Sequence, residues 1–178
     1  MIPIVTPKEM AAIDAAAPEP VDVLIHRAGG ALARAAVDLL GGTYGRRVVV
    51  LAGKGNNGND GRDAATRLRR LGVRVVEVDA AAPPERLPDA DLVIDAGFGT
   101  GFRGEFTPPA TDAPVLACDS PSGVDGLTGA VGGRAYRAVR TVTFAALKPG
   151  LLLPPGADHV GEVLVADIGL DTSSATTH

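Results

Sequence analysis

The sequence of 178 residues contains one cysteine, no tryptophan and only 3% aromatic residues. A single thiol excludes an internal disulfide and any zinc site built on cysteines. With so few rings, a ligand pocket has to work through backbone, aliphatic and polar groups rather than through stacking. There is no block of basic residues and the net charge is −4, which argues against a nucleic-acid or membrane surface. No apolar run approaches the ~20 residues of a membrane span. The opening MIPIVTPKEM lacks the charged and apolar regions of a secretory leader. With 46% hydrophobic and 21% charged residues and no low-complexity tract, the chain reads as one folded soluble domain in a cytoplasmic setting. That domain is expected over 1–170, with a polar tail at 171–178 (DTSSATTH) expected to be disordered.

What is present is an alternation of helical and strand patterns. Thr6-Pro7-Lys8-Glu9 has the residues of a helix start, with a capping threonine, a proline suited to the first turn and a glutamate that reaches back. In VDVLIHRAGGALARAAVDLL (21–40), Val21, Leu24, Ile25, Ala28, Leu32, Ala35, Ala36 and Leu39 recur at helical spacing, and Gly41-Gly42 stops the run. Arg46 to Ala52 is a nearly all-apolar strand of the kind buried on both faces. A helix is expected over Asp60 to Leu71, and further strands at 73–79, 91–95, 114–119, 141–146 and 162–169. Strand, glycine loop, helix, strand is a βαβ opening, so the expected fold is α/β with a mainly parallel central sheet. The connections 80–90 and 96–114 carry Pro83, Pro84, Pro88, Pro108, Pro109 and Pro114, which oppose full crossover helices. Part of one sheet face is therefore expected to be covered by a second subunit or domain.

The chemistry gathers in GKGNNGNDGRDAATRL (53–68). Gly53, Gly55 and Gly58 match G-x-G-x-x-G between a strand and a helix, and Asp79 ends the next strand, as in a dinucleotide fingerprint. Asp60 is expected in or just before the first helical turn, where a carboxylate would occupy the place of a pyrophosphate. Asn59-Asp60 also replaces the Lys-Ser/Thr of a phosphate loop. Asn-Gly and Asn-Asp pairs are ordinary turn formers. Four such side chains within five residues at a strand's carboxyl end point instead to a polar cradle for a hard cation or a polar ligand. Asp95, in DLVIDAGFGTGFRGE, and Asp119, in ACDSPSGVDGLTG, end two further strands inside glycine-rich loops. Each alone is a common turn cap. Together, Asp60, Asp95 and Asp119 are expected to face one crevice.

GNNGNDG, DAGFGTG, CDSPSG and TVTFAALKPG, in that order, resemble the blocks of the NAD(P)H-hydrate epimerase family, the YjeF N-terminal domain. The resemblance runs from TPKEMAAID to VADIGL. It implies a three-layer Rossmann-like sandwich, usually dimeric, that interconverts the R and S forms of NADHX and NADPHX, reduced cofactors hydrated at C6 of the nicotinamide ring. It also implies a bound potassium ion held by Asn57 and Asp95. Asn56, Asn57, Gly58, Asn59 and Asp60 would contact the hydrate, and Gly99, Thr100, Gly101, Phe102, Arg103, Gly104 and Glu105 would cover it. Asp119 would sit at the reacting ring, with Ser122 hydrogen-bonding nearby.

Inversion of a carbinolamine carbon needs proton transfers. Asp119, with its pKa raised by burial or by neighbouring acids, is the expected catalytic acid/base. Lys148 is expected either to supply positive charge near the site or to lie on the surface. N-N-G-N-D stands where the family has N-N-G-G-D, so Asn59 is expected to adopt a backbone conformation often left to glycine. IHRAGG replaces the family's Met-Glu-Asn-Ala-Gly, which makes His26 a packing or surface residue. The Pro-rich connections are shorter than the family's habit. Many relatives are fused to an ADP- or ATP-dependent dehydratase, so the chain is expected to be a stand-alone epimerase or half of such a fusion. Two readings compete: a non-catalytic binding module of the same fold, and an NAD(P)-dependent oxidoreductase. A serine hydrolase lacks its G-x-S-x-G elbow.

Overall fold

The computed structural model describes residues 2–173, so residues 174–178 of the expected disordered tail lie outside the described residues. Helix α1 spans Pro7–Ala15 and α2 spans Val21–Leu40. Strand β1 (Arg47–Ala52), helix α3 (Asn56–Arg70) and strand β2 (Arg74–Asp79) follow, and then β3 (Leu92–Ala96), β4 (Val115–Cys118), β5 (Arg140–Phe144) and β6 (Glu162–Ala166). All six strands pair in parallel in the order β2-β1-β3-β4-β5-β6.

The local signals act as their chemistry dictates. Thr6 caps α1: its Oγ1 accepts from the Glu9 backbone N–H while Glu9 Oε2 accepts from the Thr6 N–H at 2.8 Å. Gly41, at φ +64°, ends α2 in the left-handed conformation that glycine adopts without strain. The periodic residues Leu24, Ala28, Leu32, Ala35 and Ala36 of α2 are buried against β1, β3, β4 and β5, together with Ala64, Ala65 and Leu68 of α3. Burying one leucine such as Leu32 stabilises the fold by roughly 1.5–3 kcal/mol before entropy is counted.

Both packed helices lie on one face of the sheet. The other face carries a layer, but of irregular chain. After β2 the strand order reverses, and right-handed crossovers carry the connection to the opposite side. There Leu87 packs on Val49, Val93 and Val115. Phe102 and Phe106 pack on Leu51, with Tyr136 donating from its hydroxyl to the Pro109 carbonyl at 2.6 Å. Phe98 stacks within this layer, its ring centroid 5.2 Å from those of both Phe102 and Phe106. The prolines exclude helices here as expected, but the face over β1, β3 and β4 is sealed by the chain's own loops. The thin crossovers therefore do not oblige a second subunit to cover it. Among the described residues no helix is long and apolar enough to cross a membrane.

Candidate active site

The reversal of strand order between β1 and β3 opens a crevice at the carboxyl edge of the sheet, where open α/β sheets bind ligands. A cavity of about 790 Å³ lies there, walled by the segments that leave β1, β3, β4, β5 and β6 and roofed by α1 and α2. Its polar side is made by Lys54, Asn56, Asn57, Asp60, Asp119 and Lys148, and by the loop Gly99–Arg103. Its apolar side is made by Met10 of α1, by Val21, Leu24 and Ile25 of α2, and by Ile168 and Leu170.

The glycine loop is shorter than the sequence suggested. Helix α3 begins at Asn56, so Asn56 to Asn59 form its first turn and only Gly53–Gly55 remain a loop. Glycine is required there by close approach. A Cβ on Gly58 would lie 1.9 Å from the Gly53 carbonyl oxygen, and one on Gly53 would lie 2.0 Å from that of Gly97. Asn59, expected to need a positive φ, is instead helical; among the described residues the non-glycine residues at positive φ are Asp119 (65°) and Ala145 (62°). Asp60 also differs from expectation. It sits beyond the first turn and does not cap α3, whose N-cap Gly55 receives no side-chain hydrogen bond. The end of the helix dipole and the exposed Lys54 are therefore free to meet an anion at the cavity.

Asp119 stands at the end of β4 on a left-handed backbone, its N–H donating to the Val142 carbonyl at 2.8 Å. Its Oδ1 accepts from Lys148 Nζ at 2.7 Å and Thr143 Oγ1 at 3.0 Å. Its Oδ2 accepts from the Thr100 N–H at 3.0 Å and from the Thr100 hydroxyl. Lys148 is only 1% exposed, and its remaining protons go to Thr143 Oγ1 at 2.8 Å and the Phe144 carbonyl at 3.0 Å. Lys148 thus belongs to the site and not to the surface. Burial opposes ionisation of Asp119, but the Lys148 charge and the hydrogen bonds from Lys148 and Thr100 outweigh it and hold its pKa down to about 2. A raised Asp119 was expected, and the structure reverses that. Asp60 is raised instead, pushed up to about 8 by burial and then by the charges of Asp119, Asp63 and Asp14. Asp14 of α1 is itself raised, first by burial.

Asp95 is fully buried and does not line the cavity. Its carboxylate accepts from Ser122 Oγ at 2.5 Å, from the Ser122 N–H at 2.8 Å and from the Gly97 N–H at 3.3 Å, while Ser122 Oγ accepts from the Phe98 N–H at 2.9 Å. Asp95 and Ser122 thus pin the loops after β3 and β4 together behind the cavity, and burial pushes the Asp95 carboxyl up. The expectation that Asp60, Asp95 and Asp119 share one crevice therefore holds for Asp60 and Asp119 only. Gly58, Asn59, Gly104, Glu105 and Ser122 also stand outside the cavity wall, whereas Asn56, Asn57 and Gly99 to Arg103 form part of it. His26 is exposed and bonded to Asp63 at 3.1 Å, a surface residue as expected. Asp79 accepts from the Ala81 N–H at 2.9 Å and is absent from the cavity, so the acid of a conventional dinucleotide site is not where a ligand would meet it. Thr143 and Asp14 were not anticipated. Thr143 lies in TVTFAALKPG with Lys148, so that block carried the signal; nothing in the sequence marks Asp14.

No group of three or more His, Cys, Asp or Glu side chains among the described residues could hold a metal ion. A monovalent cation would draw on other oxygens. Asn57 Oδ1 and Nδ2 are buried without a hydrogen-bond partner, and buried Asp95 has no cationic partner among the described residues. One residue offers an unclaimed oxygen and the other a carboxylate without a cationic partner, the kinds of donor a cation would use.

Comparison with known proteins gives a consistent picture. The family model described as YjeF-related protein N-terminus matches residues 21–90 and 77–150. The chain is 37% identical over 154 residues to an NAD(P)H-hydrate epimerase of Limosilactobacillus fermentum, covering 68% of this chain and 74% of that protein. It is 37% identical over 190 residues to the bifunctional NAD(P)H-hydrate repair enzyme Nnr of Mycobacterium leprae, covering 85% of this chain but 38% of that protein. A similar enzyme of Pyrobaculum aerophilum gives 35% identity over 189 residues and 37% of its length, so the chain spans little more than a third of these bifunctional relatives. The crystal structure of the yeast protein ynu0 (YNL200c) superposes with a TM-score of 0.69 at 22% identity, covering 91% of this chain and 86% of that one, which shows the shared fold. The chain belongs to the family of YjeF-related protein N-termini.

Proposed function

We propose that the chain is an NAD(P)H-hydrate epimerase that interconverts the R and S forms of NADHX and NADPHX. The observation that carries this reading is the cavity at the switch point. It is of ligand-binding size and holds two carboxyls with opposite protonation preferences, in a chain 37% identical to a curated epimerase. The reaction moves a hydroxyl between the two faces of C6 without net redox change, so it calls for acid/base and electrostatic groups and no hydride acceptor. Asp119, ionised at neutral pH, is the fixed anion opposite the ring, where it favours positive charge developing on the nitrogen. The Gly99–Arg103 loop is tied to Asp119 through Thr100, so the cover over the ligand and the anion beneath it are positioned together. Lys54 and the uncapped end of α3 are suited to the pyrophosphate. A potassium ion held by Asn57 and Asp95 is part of this proposal; it would neutralise Asp95 and orient the carboxamide. A homodimer, a cytoplasmic location and a dehydratase partner or fused half are also proposed, the last in keeping with the bifunctional relatives.

The test follows R-NADHX converting to S-NADHX by chromatography at several protein concentrations in potassium buffer, with the spontaneous rate subtracted. A rate proportional to protein is expected. A rate equal to the spontaneous one at every concentration would refute the activity.

A further inference from the structure

Of the carboxyls that line the cavity, the fold equips Asp119 and Asp60 in opposite ways. Asp119 has all its acceptor positions engaged: Lys148 and Thr143 on Oδ1, and the N–H and hydroxyl of Thr100 on Oδ2. To take up a proton it would have to give up one of these bonds and leave the buried Lys148 cation without its partner. Asp60 is the converse. Its side chain lines the cavity, is 7% exposed and makes no hydrogen bond with any described residue. A carboxyl in that condition at a cavity wall has its oxygens available to a ligand.

The surroundings of Asp60 select its neutral form. The charges that act on it are those of acids: Asp119 after β4, Asp63 one turn further along α3, and Asp14 across the cavity on α1. Asp63 is taken up by Arg67 at 2.6 Å and His26 at 3.1 Å. Arg62 is turned to the Gly53 carbonyl at 2.8 Å, and Lys148 is committed to Asp119. Cys118, beneath on β4, is a buried thiol held neutral, and Lys54 is on the exposed side of the cavity. Asp60 shares no hydrogen bond with Asn57 or Asp95, the two residues suited to a cation. Among the described residues, therefore, no cation pairs with an ionised Asp60.

We propose that Asp60 is the catalytic acid/base of this site and that Asp119 serves as a fixed anion that does not exchange its proton; the proposal rests on the epimerase reading. Un-ionised Asp60 gives its proton to the C6 hydroxyl oxygen as the C6–O bond breaks with both electrons leaving on oxygen. Water departs, the N1 lone pair forms a C6–N1 double bond, and the resulting cation lies opposite the Asp119 carboxylate. Water then adds to the other face of C6, the double-bond pair returns to N1, and the surplus proton restores Asp60. The oxygen lost is replaced, the proton count closes and no oxidant or reductant enters. Two carboxyls whose protonation is driven apart by their environments thereby divide the acid and anion roles.

The experiment compares kcat, KM and S-NADHX binding for wild type, Asp60→Asn and Asp119→Asn across pH. For wild type, kcat/KM is expected to fall as pH rises through about 8, where the working acid is lost. Asp60→Asn is expected to lower kcat about 100-fold or more while S-NADHX binds within about threefold of wild type. Asp119→Asn is expected to lower kcat but to keep the alkaline fall. Asp60→Asn is isosteric and removes a costly buried acid, so it should fold, and a thermal melt checks this. A wild-type profile that is flat through the alkaline range overturns the proposal without needing any variant. So does an Asp60→Asn enzyme that keeps wild-type kcat. A wild type with no activity overturns the epimerase reading and this proposal together, which separates the two failures.

Discussion

Replacing Lys148 by methionine, an unbranched apolar side chain of similar length, should be the most damaging single conservative-volume change near the cavity. Lys148 is 1% exposed and its three protons are all placed, on Asp119, Thr143 and the Phe144 carbonyl. Methionine removes the countercharge of Asp119, whose side chain is 15% exposed. Breaking a buried pair from one side costs about 3–5 kcal/mol, because the remaining charge is left desolvated. A second route gives a similar size. Asp119 is lowered from 3.8 to about 2, and at ~1.4 kcal/mol per pKa unit that is about 2–3 kcal/mol of favourable interaction with the charged form. Asp119 is more acidic folded than unfolded, so this stabilisation is present above the unfolded value of 3.8 and is lost as pH falls towards 2. The assay is urea unfolding of wild type, Lys148→Met, Asp119→Asn and the double variant at neutral pH. Lys148→Met should lose about 3 kcal/mol or more. The double variant should recover part of that loss, with a coupling above about 1 kcal/mol, since neutral asparagine tolerates the apolar neighbour. Single losses that simply add, or a Lys148→Met loss below about 1 kcal/mol, would refute the buried-pair account.

Two further outcomes follow from the residues behind the cavity. Ser122→Ala removes the 2.5 Å donor to fully buried Asp95 and leaves the Phe98 N–H without its acceptor, so about 2–4 kcal/mol of stability should be lost in urea unfolding; a change under about 0.5 kcal/mol would show that solvent or loop movement compensates. Potassium chloride should raise the melting temperature above that in choline chloride at equal ionic strength, and Asn57→Ala should abolish the difference, because the buried Oδ1 has no partner within the protein; equal melting temperatures for wild type in the two salts would remove the cation from the site.

The sequence by itself determined the elements and their edge of function. Six strands, the capped α1, the α2 stripe that ends at Gly41 and the placement of acids at strand ends all follow from local rules of period, capping and turn chemistry. Those rules act over a few residues, and they failed where local preferences competed. Asn56 to Asn59 favour turns in isolation but are drawn into α3, because Gly53 and Gly58 approach so closely that the chain turns into the helix four residues earlier. The prolines of 80–90 and 96–114 excluded helices, yet that the loops would fold back to seal the second face depended on Leu87, Phe102, Phe106 and Tyr136 finding strand residues far away in sequence. Most of all, the protonation of the acids was out of reach. Asp60 and Asp119 look alike as residues at a glycine-rich strand end. Only the tertiary structure brings Thr100, Thr143 and Lys148 across 19, 24 and 29 positions to hold Asp119 ionised, while it surrounds Asp60 with burial and like charge. A pKa is set by the field and solvation at a point in space, and that point is assembled by the fold.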